Sequence, residues 1–197
     1  MTAAPITPDD ILKFWFEEAG PSHWYKVSDE FDALMRNRFA SAIEAEAVRA
    51  ADEDHPWLED PDQALALIIL FDQFPRNIWR GSGQAFAFDS LARRAAETMI
   101  SIGFDRAVAE DRRAFVYMPF MHSESLDDQD LCVALADERL AARGTHDHAV
   151  KHREVIRQFG RFPYRNDALG RETSDAEREY LETGGYAPGR NDSAKKT

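Results

Sequence analysis

Asp60-Pro61-Asp62-Gln63-Ala64-Leu65-Ala66-Leu67-Ile68-Ile69-Leu70-Phe71-Asp72-Gln73-Phe74-Pro75 is the most apolar stretch of the chain. Asp60, Pro61 and Gln63 form a capping-box type of helix start. From Ala64 to Phe71 the segment is apolar on every side, which predicts a helix surrounded by protein rather than lying on a surface. The run is too short to span a bilayer. Pro75 then ends or kinks it. A buried central helix needs other helices around it, and the rest of the sequence supplies them.

Pro75 is the first of three prolines spaced 44 residues apart, with Pro119 and Pro163. Phe71, Phe115 and Phe159 each lie four residues before one of them. Phe74, Met118 and Phe162 lie immediately before. The interval holds one helical hairpin and falls in the range of helical repeats. The expectation is a stack of hairpins in which the three phenylalanines are core and the three prolines sit at equivalent helix ends or kinks. The polar groups after each proline would then converge on one rim: Arg76 and Asn77, His122-Ser123-Glu124, and Arg165 with Asn166.

The remaining segments read as helix as well. Thr7 and Pro8 start one that carries Ile11, Leu12, Trp15 and Phe16 and stops at Gly20–Pro21. Ser28 caps the next, which runs to about Val48. Others start at Asp89 and end at Gly103, start near Glu110, run from Ser125 to Gly144, and start near Thr145. A last one starts at Ser174, with Glu177 completing a second capping box. Alternating β-branched runs bounded by turns are missing, so no strand is assigned. The predicted fold is all-α, about eight helices in stacked antiparallel hairpins. One domain covers residues 1–183, and residues 184–197 form a Gly- and Pro-containing tail expected to be disordered.

Composition narrows the function. The chain has 197 residues, 44% of them hydrophobic, and a net charge of −12. The acidic balance argues against nucleic acid and anionic membranes as partners. A single cysteine, Cys132, and an N-terminus without a secretory pattern point to a cytoplasmic protein. Cys132 itself reads as a small buried apolar residue on a helix.

Between Lys151 and Arg171 the balance inverts, with six cations opposed only by Glu154 and Asp167. Arg153, Arg157 and Arg161 repeat every four residues. Pairing with Asp127, Asp128 and Asp130 suits the first two. Arg161 and Arg165, beside the Phe162–Pro163 break, suit a bound anion, because a guanidinium grips carboxylates and phosphates bidentately. Near Pro75, Asp72 and Arg76 suit an internal ion pair, and Gln73, Arg76, Asn77 and Arg80, with Asn166 after Pro163, are candidate ligand contacts. His122 with Glu124 is a candidate proton-transfer pair. His148 and His152 share a helix face, but without an accompanying glutamate they make no zinc-site pattern. No cofactor or metal is expected. No Gly-x-Ser-x-Gly and no phosphate loop occurs, and Gly81-Ser82-Gly83 reads as a plain turn.

Together, Phe14-Trp15-Phe16, Phe31-Asp32, Asp72-Gln73-Phe74-Pro75-Arg76-Asn77 with Arg80-Gly81, His122-Ser123-Glu124, and His152-Arg153 leading to Phe159-Gly160-Arg161-Phe162-Pro163 resemble the bacterial domain-of-unknown-function family 924. The resemblance extends from about Ile11 to Leu181. It implies a tetratricopeptide-like helical fold and no established reaction. His152 enters the candidate ligand-binding set with these motifs. The family usually carries histidine where this chain has Tyr164, which argues against an essential imidazole there. The residues fit two functions: a helical-repeat binding module for a small anionic ligand or peptide, or an enzyme on a small phosphorylated or carboxylated substrate. The oligomeric state stays open.

Overall fold

The central helix is α4, Pro61–Ile78, in a computed structural model that describes residues 5–24, 26–50 and 55–188. Asp60 caps it, its side chain accepting from the N–H groups of Asp62 and Gln63. From Ala64 to Pro75 every residue is buried. A helix of this kind is stable only inside a shell of other helices.

Among the described residues that shell consists of eight further α-helices and no strand. They are α1 (Pro8–Lys13), α2 (Pro21–Trp24), α3 (Asp29–Arg49), α5 (Asp89–Ser101), α6 (Glu110–Met121), α7 (Leu126–Arg139), α8 (Arg143–Phe159) and α9 (Asp175–Glu182). Helices α1, α3, α5 and α6 pack directly on α4, and α7 packs between α6 and α8. Thr7 caps α1 and Ser28 caps α3 as expected, the Ser174 capping box forms as expected, and Thr7 forms a further box with Asp10. α1 continues as a π-helical turn, Phe14–Ala19, closed by Gly20 with φ 64°, where only glycine escapes strain. Phe14, Trp15, Phe39, Phe74 and Phe115 meet in one aromatic core, and Phe71, in the same buried cluster, stacks on Phe88. A smaller cluster forms around Val155, Ile156 and Phe162.

Two local expectations are corrected, the α7–α8 break and the place of Pro163. The α7–α8 break falls at Leu140–Ala142 rather than at Gly144. Gly144 lies in the first turn of α8, where the N–H groups lack intrahelical partners anyway and glycine costs little. Pro75 and Pro119 do sit at equivalent helix ends, each inside the last turn of its helix. Pro163 differs from both. α8 ends at Phe159 with Gly160 left-handed, and Pro163 opens a separate 3₁₀ turn, Pro163–Arg165. The three prolines therefore share a spacing but not a place.

The core reading of the phenylalanines holds for Phe71 and Phe115. Phe159 is only half-buried, against Tyr180 on the edge of the smaller cluster. The chain also stays packed beyond 184: Gly185 N–H bonds the Tyr180 carbonyl, and Tyr186 lies against α8. Residues 189–197 of the expected tail lie outside the described residues.

Candidate functional site

The candidate site lies where the two apolar clusters meet. Five pieces of chain build it: the last turns of α4, the 86–89 segment at the start of α5, the C-terminal end of α6, the middle of α8, and the segment that carries the Pro163–Arg165 turn. Pro75 removes one backbone N–H from α4, and polar side chains crowd the turn around it. The Asp72 carbonyl accepts from the Arg76 guanidinium at 2.7 Å, and the Gln73 carbonyl from the Asn77 amide at 3.1 Å.

Asp72 is the buried anchor. Its carboxylate is fully enclosed and faces His122 Nδ1 at 2.8 and 3.0 Å, Arg76 Nη1 at 3.3 Å and Gln73 Nε2 at 2.5 Å. Burial alone would raise its pKa. The Arg76 charge, His122 and the Gln73 amide outweigh burial and hold it at about 2. Arg76 is forked onto Asp89 at the start of α5, at 2.8 and 3.0 Å.

His122, the residue that caps α6, is pushed below the ordinary imidazole range by burial and then by Arg76, against the pull of Asp72. It is a neutral ring donating Nδ1–H to Asp72, which leaves Nε2 as the acceptor. His152 on α8 stands 6.1 Å away, ring centre to ring centre, and donates its own Nδ1–H to the His148 carbonyl at 2.8 Å. Burial, reinforced by His122, lowers its pKa to about 3. Two neutral imidazoles thus face one another. His122 and Arg76 keep 15% and 18% of their side-chain surface in contact with solvent although protein crowds them, which is the mark of a recess.

Arg165 closes the recess from the other side. Only 5% exposed, it is stacked against Phe162 and Phe86, with its guanidinium carbon 4.4 and 4.7 Å from the ring centres. It donates Nη1–H to the His122 carbonyl at 3.0 Å. Its carboxylate contact is distant, Asp89 Oδ2 at 3.8 Å, and that carboxylate is already forked by Arg76. Its Nε is buried with no hydrogen-bond partner among the described residues. Tyr164, beside it, is raised by burial, against the lowering effect of the Arg165 charge and hydrogen bond.

The turn carrying Arg165 is pinned by Glu124, which accepts from Phe162 N–H at 2.8 Å and is forked by Arg171 at 2.7 and 3.0 Å. Phe86 is brought up by close contact of its turn with the 165–170 segment. A Cβ on Gly83 would stand 3.1 Å from the Ala168 carbonyl, so the turn uses glycine for approach and is more than a plain turn.

The sequence candidates divide accordingly. Gln73, Arg76, His122, His152 and Arg165 come together at the recess. Glu124 does not pair with His122; both of its oxygens are committed to the neighbouring turn and to Arg171. Arg161 is forked onto Glu177 at 2.6 and 2.8 Å. Asn166 is buried in that same network, against Glu177, Thr173 and Arg171. Asn77 and Arg80 bond each other on another face of α4, where Arg80 also holds Asp32 at 2.9 Å. Sequence reading missed Asp89, Phe86, Phe162 and Tyr164 as parts of the site. Asp89 read only as a helix start, and thirteen residues from Arg76 is no helical spacing. Cys132 is buried, its thiol raised by burial to about 12, and takes no part. Among the described residues no cluster of metal-ligating side chains occurs, and no helix is long and apolar enough to cross a membrane.

A solved structure of a protein of unknown function from Agrobacterium tumefaciens superposes with a TM-score of 0.82 at 42% identity, covering 90% of this chain and 97% of that one. No curated protein matches. The bacterial proteins of unknown function grouped as DUF924 match residues 11–185, from the first helix to the glycine before Tyr186, and the chain belongs to that family.

Proposed function

We propose that the chain is a binding protein for a small anion, held in the recess by Arg165 with His122, His152 and Arg76 around it. The observation that carries this reading is the state of Arg165. It is a buried guanidinium with hydrogen bonds to the His122 carbonyl and to Tyr164, an orphaned Nε and a shared, distant carboxylate. Buried charges are ordinarily paired, and leaving one short of partners costs several kcal/mol unless a ligand completes the set. A carboxylate or phosphate supplies what is missing.

The finer architecture belongs to the same proposal. A tetratricopeptide-like stack is supported by the pairwise packing of α4 with α5, α6 with α7 and α7 with α8. The place of Pro163 outside any α-helix limits the repeat to α4–α7. A cytoplasmic setting is supported by the single buried thiol.

The test is calorimetric titration with phosphate and with acetate, on the wild type and on Arg165→Ala. Losing one buried charged contact should weaken binding by about 1.5–3 kcal/mol, or ten- to a hundredfold. Equal affinity in the two proteins refutes the reading. One observation favours a second reading, proton transfer in an enzyme: His122 lies against Asp72 in the arrangement that leaves Nε2 free to accept a proton. In that reading the pair is His122 with Asp72.

A further inference from the structure

A second concavity, of about 520 Å³, opens along α6 and is walled by Trp24, Ala114, Phe115, Met118 and Leu140. We propose that this groove and the polar recess are two halves of one site. Its ligand is an unbranched apolar carboxylate, with its head at Arg165 and His122 and its chain along α6. This rests on the reading of the recess as an anion site.

Met118 belongs to both halves. It lines the groove, and its sulfur lies 3.5 Å from Gln73 Nε2, the amide that also faces the Asp72 carboxylate. Helix geometry makes the connection continuous. Ala114, Met118 and His122 follow one another at four-residue steps, so they lie along one face of α6. At the helical rise, Met118 is about 6 Å and Ala114 about 12 Å along the axis from His122. α8 repeats the pattern. Thr145 lines the groove, Ala149 follows at the next step, and His152 faces His122 at the recess. Two helices therefore run from apolar wall to histidine in the same direction.

Charge orients the occupant. Glu110 and Asp111 stand at the groove end remote from His122 and repel an anionic head, whereas Arg165 and Arg76 lie at the other end. Chemistry favours an acyl or alkyl chain over a peptide. Apart from Glu110 and Asp111 at the remote end and Thr145, the groove is lined by apolar residues, and an extended peptide needs partners for its backbone N–H and C=O groups.

The probes are octanoate, butyrate, octanol and a short peptide with an apolar C-terminus, titrated calorimetrically into the full chain. Each fully buried methylene is worth a factor of about four, so octanoate should bind at least tenfold more tightly than butyrate even if only half of its extra chain is covered. Octanol should bind more weakly than octanoate, and the Met118 methyl resonance should move with octanoate. Ala114→Phe fills the groove. It should bring octanoate down to the affinity of butyrate while leaving butyrate unchanged, which also reports that the variant is folded. In the wild type, octanoate no tighter than butyrate, octanol as tight as octanoate, or the peptide tighter than octanoate would each overturn the proposal while leaving the anion site standing. Absence of binding by butyrate, acetate and phosphate alike would overturn the anion site and this proposal with it.

Discussion

Replacing His152 with glutamine should flatten the acid side of the stability curve. In the wild type the ring titrates near 3 when folded and at the ordinary 6.5 when unfolded. A histidine whose folded pKa lies below its unfolded value binds fewer protons folded than unfolded. Its stabilising contribution is complete above pH 6.5 and is lost as pH falls toward 3. Between pH 7 and pH 5 the loss is about 2 kcal/mol, and the slope approaches about 1.4 kcal/mol per pH unit. The unfolded value fixes this figure, because pH 5 already lies well above the folded one. His122 and His55 are lowered in the same direction by burial and add to the slope. Asp72, held near 2 against an unfolded 3.8, is lost only at lower pH. Urea denaturation at half-unit steps from pH 7.5 to 4.5 measures the effect. His152→Gln should lose about one proton's worth of slope and keep the remainder. A wild-type stability that is flat from pH 7 to 5, or a variant with the wild-type slope, would refute the assignment of His152 as a buried neutral ring.

Phe71→Ala should cost about 3–5 kcal/mol in the denaturant midpoint, and Phe159→Ala, half-buried at the edge of the smaller cluster, about 1–2 kcal/mol. Cys132 should resist alkylation in the native protein and react fully in denaturant, because its thiol is buried and raised to about 12. Ser174→Ala removes the α9 cap. It should cost about 1 kcal/mol and speed hydrogen exchange in α9 before any other helix.

Much of the fold was legible because local chemistry and burial agree. Asp60, Thr7, Ser28 and Ser174 announce helix starts through their own side chains. The unbroken apolar run after Ala64 cannot be accommodated at a surface. Gly144 misled because a glycine marks a helix end only when the chain turns there, and in the first turn of α8 it is merely tolerated. The prolines misled by their regularity. Spacing does not say whether a proline sits inside a last turn, as Pro75 and Pro119 do, or opens a new one after a glycine stop, as Pro163 does.

The site was legible in part and for a narrower reason. His122, Arg76 and Arg165 each follow one of the three prolines, and the fold does bring those three places together. Which carboxylate each would meet was not readable. Glu124 is two residues from His122 yet serves Arg171, whereas Asp72 is fifty residues away and holds the ring. Such choices depend on which faces pack, not on sequence distance.

The anion site depends above all on the side chain of Arg165. Its Nε–H resonance, identified by its loss in Arg165→Lys, can be followed while acetate is titrated into the protein. The prediction is a saturable movement of that resonance with the same midpoint as the calorimetric binding curve. A resonance that stays fixed while acetate binds elsewhere would contradict the anion site.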